Sequence, residues 1–277
     1  MINIYPSYYK SFKCIAGNCP DTCCAKWEIV VDGDSVNFYK GIKTPFGERL
    51  RASMKVDDDG DTIFINKNNR CPFLNDSGLC DIYTELGEDC LCRTCEKFPR
   101  FSVCFGGTTE YGLSLSCPAA CELIMNNDLA LISDIDDSEP ELNELDADLF
   151  LKLKGLREEI LSNRDTPELT SDFDTELFKS FEYLTEKGRE VFLNLNSNIE
   201  LRWSAELRRI YDYYIYRYLL ASVYDGCESF ALKLSSFAVR AIFASSQCGD
   251  LSLSEAAVLF SKEIEHSDYN LSLFKTT

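Results

Sequence analysis

Beyond residue 148, apolar side chains recur at helical intervals, whereas before it they come in short clumps. Residues 149–161, 175–193, 199–224, 228–243 and 254–265 each carry the helical spacing and predict helices. Within 199–224, Leu207, Tyr211, Tyr214, Tyr218 and Ala221 follow at steps of 4, 3, 4 and 3, which lines them along one helical face. Ser252 and Glu255 have the spacing of a capping box just ahead of the apolar run 256–260. In the first half, 27–31 (WEIVV) and 62–65 (TIFI) are short apolar runs bounded by Asp and Gly, and predict strands; 110–115 (EYGLSL) predicts a third. Residues 36–54 predict a helix interrupted around Pro45 and Gly47. Pro118 opens the helical run PAACELIMNNDLAL from the favoured first position. The expected fold is mainly α, with a small irregular part containing short strands (α+β).

Between these halves lies an acidic seam. From Asp134 to Asp148 the chain reads DIDDSEPELNELDAD, with eight acids, no base and Pro140 in the middle. Like charges at this density oppose compaction, so the seam reads as a loop, a linker or a solvated helix start. The expected organisation is therefore 1–132, a linker at 133–148, and a helical region at 149–277. At 277 residues and 45% hydrophobic content the chain is long enough to bury a sizeable core.

Charge narrows the partners. Lys plus Arg number 28 against 46 Asp plus Glu, a net −18 that repels phosphate backbones and anionic lipid surfaces. Nucleic acid and membrane are not expected as partners. The first residues, MINIYPSYYKSFK, lack a continuous apolar core of the secretory kind, and no run of about 18 apolar residues occurs. The expected compartment is the reducing cytoplasm, where crowded thiols point to a metal, an iron–sulfur cluster or redox chemistry rather than to a disulfide framework.

The thiols are the chemical signal. There are 14 Cys and a single histidine, and twelve of the cysteines lie between Cys14 and Cys121. They run Cys14-x4-Cys19-x3-Cys23-Cys24, Cys71-x8-Cys80 and Cys90-x-Cys92-x2-Cys95, followed by Cys104, Cys117 and Cys121. Gly17, Asn18, Pro20 and Asp21 are turn formers that can fold the first group onto one point. With His266 the sole histidine, mixed Cys/His zinc sites are excluded in practice, while an all-thiolate site suits either Zn²⁺ or an iron–sulfur cluster. The ferredoxin spacings C-x2-C-x2-C and C-x4-C-x2-C are absent, and Cys24 directly after Cys23 breaks the C-x3-C-x2-C of radical S-adenosylmethionine enzymes. Cys104, Cys121, Cys227 and Cys248 read as small buried hydrophobes.

Five blocks then stand in a set order between Cys14 and Gly226: KCIAGNCPDTCCAKWEI, CPFLNDSGLCDIYTELG, TCEKFPRF, YGLSLSCPAACEL and YYIYRYLLASVYDG. Together they resemble the flagellin lysine N-methylase family, a branch of the cysteine-cluster proteins described as zinc- or iron-chelating. The resemblance implies that Cys14, Cys19, Cys23, Cys24, Cys71, Cys80, Cys95 and Cys117 are the motif cysteines, and it leaves Cys90, Cys92, Cys104 and Cys121 as extras of this chain. It further implies methyl transfer from S-adenosylmethionine to lysines of flagellin. Eight motif thiols exceed the need of one structural zinc, which favours a [4Fe-4S] cluster, with two zinc ions as the alternative.

That chemistry makes demands. A lysine ammonium, with a pKa of about 10.4 in water, must lose its proton before it attacks a methyl sulfonium, and burial or a neighbouring carboxylate or tyrosinate assists. Tyr213, Tyr216 and Arg217 lie at i, i+3 and i+4, a face distinct from the Tyr211, Tyr214 and Tyr218 stripe, and are the candidate catalytic group. The bland alternative is an amphipathic core with Arg217 paired to an acid. The match of FPR to its family block implies that Arg100 lies near the cluster, where it offsets thiolate charge or holds a carboxylate of the cofactor; the alternative is a surface ion pair. Trp27 is expected to pack over the metal site. No G-x-G-x-x-G marks a nucleotide-type donor site, and Gly106-Gly107 is the nearest candidate. The acid surplus suits a lysine-bearing substrate, or simply keeps the chain soluble. Two other classes stay open: a non-enzymatic zinc- or iron-binding interaction module, and a redox or metal carrier suggested by Cys23-Cys24 with Cys90 and Cys92.

Overall fold

The computed structural model describes residues 1–25, 27–136, 145–163, 166–169, 173–196, 199–248 and 251–276. The protein is mainly α with a small β part, as expected. Its compact units, however, part elsewhere than at the acidic seam. The first strand, β1 (Ile2–Pro6), pairs with two strands far along the chain, and Met1–Phe12 therefore belongs with Arg100–Thr277. Residues Lys13–Pro99, between them in sequence, form a second unit. Of the seam itself, 137–144 lie outside the described residues.

The Lys13–Pro99 unit contains α1 (Gly33–Gly41), α2 (Pro45–Ala52), β2 (Met54–Val56), β3 (Thr62–Phe64), α3 (Asp81–Leu86) and α4 (Arg93–Lys97). The interrupted helix expected over 36–54 is two helices, each with its own start. The Asp32 carboxylate accepts from the Ser35 N–H at 3.0 Å, and the Thr44 hydroxyl accepts from the Gly47 N–H at 3.3 Å, ahead of Pro45 at the first turn. The strand expected at 27–31 is reduced to a bridge, Val30 opposite Ile63, with the Val31 N–H donating to the Thr62 carbonyl at 2.7 Å. The reason is competition at both ends. The Asn66 amide takes the Trp27 carbonyl, and Asp32 ends the extended run as a helix cap.

In the larger unit, β4 (Arg100–Phe105), β5 (Thr108–Leu113), α5 (Pro118–Asn126) and β6 (Leu131–Ile135) precede the helical run. The sheet order is β4-β5-β1-β6, with β1 parallel to β5 and the other pairs antiparallel. The helices are α6 (Ala147–Ser162), α7 (Glu186–Leu193), α8 (Ala205–Tyr214), α9 (Glu228–Cys248), α10 (Leu253–Phe260) and α11 (Asp268–Thr276). Ser252 and Glu255 form the capping box that their spacing predicts.

The helix expected over 175–193 is broken into a 3₁₀ turn, Thr175–Ser180, and α7. Tertiary bonds override the local pattern here: the Asn270 side chain accepts from the Glu182 N–H at 2.9 Å and donates to its carbonyl at 2.8 Å. Phe178, Phe181, Phe192, Phe237, Phe260 and Phe274 are buried together, with Phe178 and Phe192 stacked at 5.2 Å between ring centres. Glu110 of β5 and Arg157 of α6 meet in a buried bidentate pair, both bonds 2.6 Å, which ties the helical layer to the sheet.

Candidate functional site

Of the motif cysteines, Cys14, Cys19, Cys23, Cys24, Cys71, Cys80 and Cys95 fall in the Lys13–Pro99 unit, and Cys117 falls in the larger one, where it immediately precedes α5 and Pro118. Short elements carry the thiols. Cys14 and Cys19 flank the 3₁₀ turn Ala16–Asn18, with Cys14 exposed and its sulfur accepting from the Ala16 N–H at 3.4 Å. The Cys71 N–H donates to the Cys24 carbonyl at 2.8 Å, which brings the first and second groups side by side. Cys80 stands at the residue before α3 and Cys92 at the residue before α4, neither with a side-chain bond to the helix.

Five sulfurs share one neighbourhood in this unit. Cys71 and Cys92 belong to its buried apolar core with Tyr39, Leu50, Phe64 and Phe73, and Cys24, Cys80 and Cys95 pack against that core. A hydrogen bond from Cys23, ahead of one from Thr22, draws the Cys24 thiol down to about 7. Burial pushes Cys71 up to about 12 and also raises Cys80, and the negative charge of Cys24 adds to both. Cys92 and Cys95 are hydrogen-bonded, which lowers the first thiol and raises the second. Thiolates here repel one another, and a cation among them relieves that repulsion. The donor set therefore has the soft, all-thiolate chemistry that suits zinc or iron–sulfur. As the side chains stand, no three His, Cys, Asp or Glu groups among the described residues are arranged to hold one metal ion.

Cys92 belongs to this neighbourhood although the family blocks leave it out; the signal that could have found it was its C-x2-C spacing with Cys95. Trp27 donates from its indole N–H to the Cys23 carbonyl at 2.7 Å and packs on Phe98 and on the apolar core that holds the thiols. Among the cysteines expected to be buried hydrophobes, Cys121 is fully buried, with burial pushing its thiol up to about 12, whereas Cys248 is exposed at the end of α9.

The tyrosine segment departs from its expected geometry. Residues Ile215–Leu219 form a π turn at the end of α8. Its i to i+5 bonding shifts the following side chains off α-helical register, so the two faces read from the sequence do not stay separate. Tyr214 and Tyr218 of the stripe join Tyr213 and Arg217 around one carboxylate, Glu265, which the sequence did not single out. Glu265 accepts from the hydroxyls of Tyr213, Tyr214 and Tyr218 at 2.9, 3.0 and 2.9 Å, and Arg217 pairs with it at 3.0 Å. The carboxylate is wholly buried, and the guanidinium also stands over the Phe101 ring at 4.4 Å.

Tyr216 has polar and cation partners of its own. Its hydroxyl donates to the Tyr111 carbonyl at 2.8 Å, and Arg157 lies over its ring. Burial, reinforced by nearby carboxylates, pushes the hydroxyl pKa of Tyr213, Tyr214, Tyr216 and Tyr218 upward. All four are held as protonated donors, and a tyrosinate base is the form this environment disfavours. Beside the cluster, Nε2 of His266 meets the buried Ser116 hydroxyl at 2.9 Å.

Arg100 opens β4, with its guanidinium 5.0 Å from the centre of the Phe12 ring. Gly106 and Gly107, the nearest thing to a glycine-rich donor loop, instead form the two-residue turn between β4 and β5, both at positive φ. That is hairpin chemistry, in which glycine supplies the left-handed backbone of the turn, and not a strand-to-helix cradle.

What the fold and thiols define is a cysteine-rich protein with nine of its fourteen cysteines in one small unit. Over 135 residues it is 28% identical to the flagellar biosynthetic protein FliU of Salmonella muenchen, a match covering 44% of this chain and 76% of that protein. It is 27% identical over 135 residues to the lysine-N-methylases of Salmonella typhimurium strain LT2 and Salmonella choleraesuis strain SC-B67, covering 44% of this chain and 32% of each. The match thus spans about a third of the length of these two lysine-N-methylases. The likeness agrees with the flagellin lysine N-methylase resemblance of the cysteine blocks. No family model and no solved structure matches the chain.

Proposed function

We propose that the protein is a lysine N-methyltransferase acting on flagellin with S-adenosylmethionine as donor, and that its motif thiols hold a metal group, an iron–sulfur cluster in preference to zinc. The observation that carries this reading is the 135-residue similarity to proteins named lysine-N-methylase. The all-thiolate donor set of the Lys13–Pro99 unit supports the metal part, with Cys24, Cys71, Cys80 and Cys95 as the core ligands and Cys14, Cys19 and Cys23 beside them in sequence. When bound, a cluster of this kind supplies a redox-active or Lewis-acidic metal. The chain's own residues then have to bind the lysine, strip its proton and exclude water.

In this reading Tyr213 and Arg217 act as positioning residues. Their polar groups are committed to Glu265, so they hold the π turn and the elements around it in place rather than touch the amine. Tyr216 does the same between the helical layer and β5. The excess of carboxylates favours approach of a cationic segment.

The test is transfer of a labelled methyl group from S-adenosylmethionine to flagellin by anaerobically purified protein. Label recovered as methyl-lysine is expected; none from metal-loaded protein defeats the proposal. A second reading, dithiol redox chemistry, is favoured by the hydrogen-bonded Cys92 and Cys95 pair. Reversible oxidation of these two thiols by oxidised glutathione, without methyl transfer, selects it.

A further inference from the structure

The sheet of the larger unit has two outer strands, and they differ. On β4 the Cys104 carbonyl accepts from the Tyr224 hydroxyl, so that edge is partly occupied. Beyond β6 no strand lies among the described residues. The Asp136 N–H donates to the Met1 carbonyl at 2.8 Å and the Ser7 N–H to the Ala130 carbonyl at 2.8 Å, which places the even-numbered residues of β6 as the ones bonded to β1. By antiparallel alternation, the N–H and C=O groups of Leu131, Ser133 and Ile135 point away from the sheet.

This edge is also apolar where an edge is usually protected. Ile135 is 83% exposed, Ile132 44% and Leu131 40%, and Ile2, the cross-strand partner of Ile135, is 46% exposed. Neither proline, nor lysine, nor a bulge interrupts Leu131–Ile135, which are the usual guards against strand addition. The one acid within the strand, Asp134, is paired with Lys10 at 2.8 Å. The net charge of −18 opposes approach of a second copy of this chain and favours a cationic strand.

We propose that the outer edge of β6 binds an extended, lysine-bearing polypeptide segment by strand addition, with main-chain bonds to Leu131, Ser133 and Ile135 and the net negative charge of the chain selecting for lysine. The inference rests on the reading of a lysine-bearing protein substrate and adds where and in what conformation that substrate docks.

The probe is a short fluorescein-labelled peptide alternating lysine and valine, titrated against the full chain by anisotropy. Two controls accompany it, one with proline in place of valine and one with glutamate in place of lysine. Binding of the lysine–valine peptide alone is expected, with slowed amide exchange at Leu131, Ser133 and Ile135. Ser133→Pro, which removes an outward donor, and Ile135→Lys, which places a like charge against the peptide, should each weaken binding by about tenfold. Val56→Lys, at an exposed apolar position of β2, should leave it unchanged. If Ser133→Pro fails to fold, Ile135→Lys at its exposed position decides. Equal binding of the proline peptide, or no effect of Ile135→Lys, overturns the proposal. So does a concentration-dependent dimer in sedimentation that Ile135→Lys abolishes, because a second copy then occupies the edge. Peptide binding with no methyl transfer to flagellin defeats the methylase reading and leaves the strand-addition site standing.

Discussion

Removing the carboxylate of Glu265 is the sharpest test of the buried cluster. Glu265 is wholly buried and satisfies four donors at 2.9 to 3.0 Å: three tyrosine hydroxyls and the Arg217 guanidinium, itself only 14% exposed. Deleting one partner of a buried ion pair costs about 3–5 kcal/mol, because the other charge is left without compensation. Each donor stranded as well adds about 1–3 kcal/mol, less than additively. Glu265→Ala is therefore expected to cost about 5 kcal/mol, a large share of the 5–15 kcal/mol typical of a folded domain. Glu265→Gln keeps the shape and one acceptor oxygen, and should cost about 3 kcal/mol. The double variant Glu265→Gln, Arg217→Met removes both charges and should recover part of that loss. The assay is guanidinium unfolding in a Trp27→Phe background, where Trp203 alone reports the larger unit. A Glu265→Gln loss below about 1 kcal/mol would refute the reasoning, since a charge that close to Arg217 cannot be removed cheaply if the pair is buried.

Asp32→Ala should destabilise the Lys13–Pro99 unit by about 1–2 kcal/mol, read by Trp27 fluorescence, because it removes the cap of α1 and the acceptor of the Arg93 N–H at 2.8 Å. Burial opposes ionisation of this carboxyl, but the bonds from Arg93 and Ser35 prevail and hold it at about 2. Its folded pKa lies below the unfolded value of about 3.9, so the contribution is present above pH 4 or so and is lost as pH falls toward 2. Asp32→Asn should flatten that acid limb while keeping most of the cap. Gly188→Ala should cost about 1–3 kcal/mol despite its better helix propensity, since a Cβ there runs into the Glu263 carboxylate, which is bonded to Leu184 and Thr185; an unchanged melting temperature would count against this packing. Cys24→Ser and Cys95→Ser should both lower bound metal measured by plasma mass spectrometry after anaerobic purification, and metal content unchanged in both would remove these two thiols from the ligand set.

Local rules carried the sequence reading where local chemistry decides. The cap at Ser252 with Glu255, the helix opening at Pro118 and the strand near Thr62 needed only neighbours in sequence, and each is found. Long-range pairing was the obstacle elsewhere. β1 has no alternation strong enough to announce a strand, and its place depends on β5 and β6, more than a hundred residues on. The break in 175–193 depends on Asn270, and no window along that segment contains it. At the site, thiol spacing located the cysteine groups but not their company, so Cys92 stayed among the extras although it packs with Cys71. The tyrosine faces failed for a different reason: periodicity assumes an unbroken α-helix, and one π turn redirected Tyr216 to β5 and gathered four other side chains on Glu265.

The most direct test of methyl transfer is mass spectrometry of flagellin incubated with S-adenosylmethionine and anaerobically purified protein, the wild type beside Cys95→Ser. Lysines carrying added methyl groups are expected with the wild type, and little or none with Cys95→Ser. Unmodified lysines with the metal-loaded wild type, or equal methylation by the two proteins, would contradict a thiolate-dependent lysine methylase.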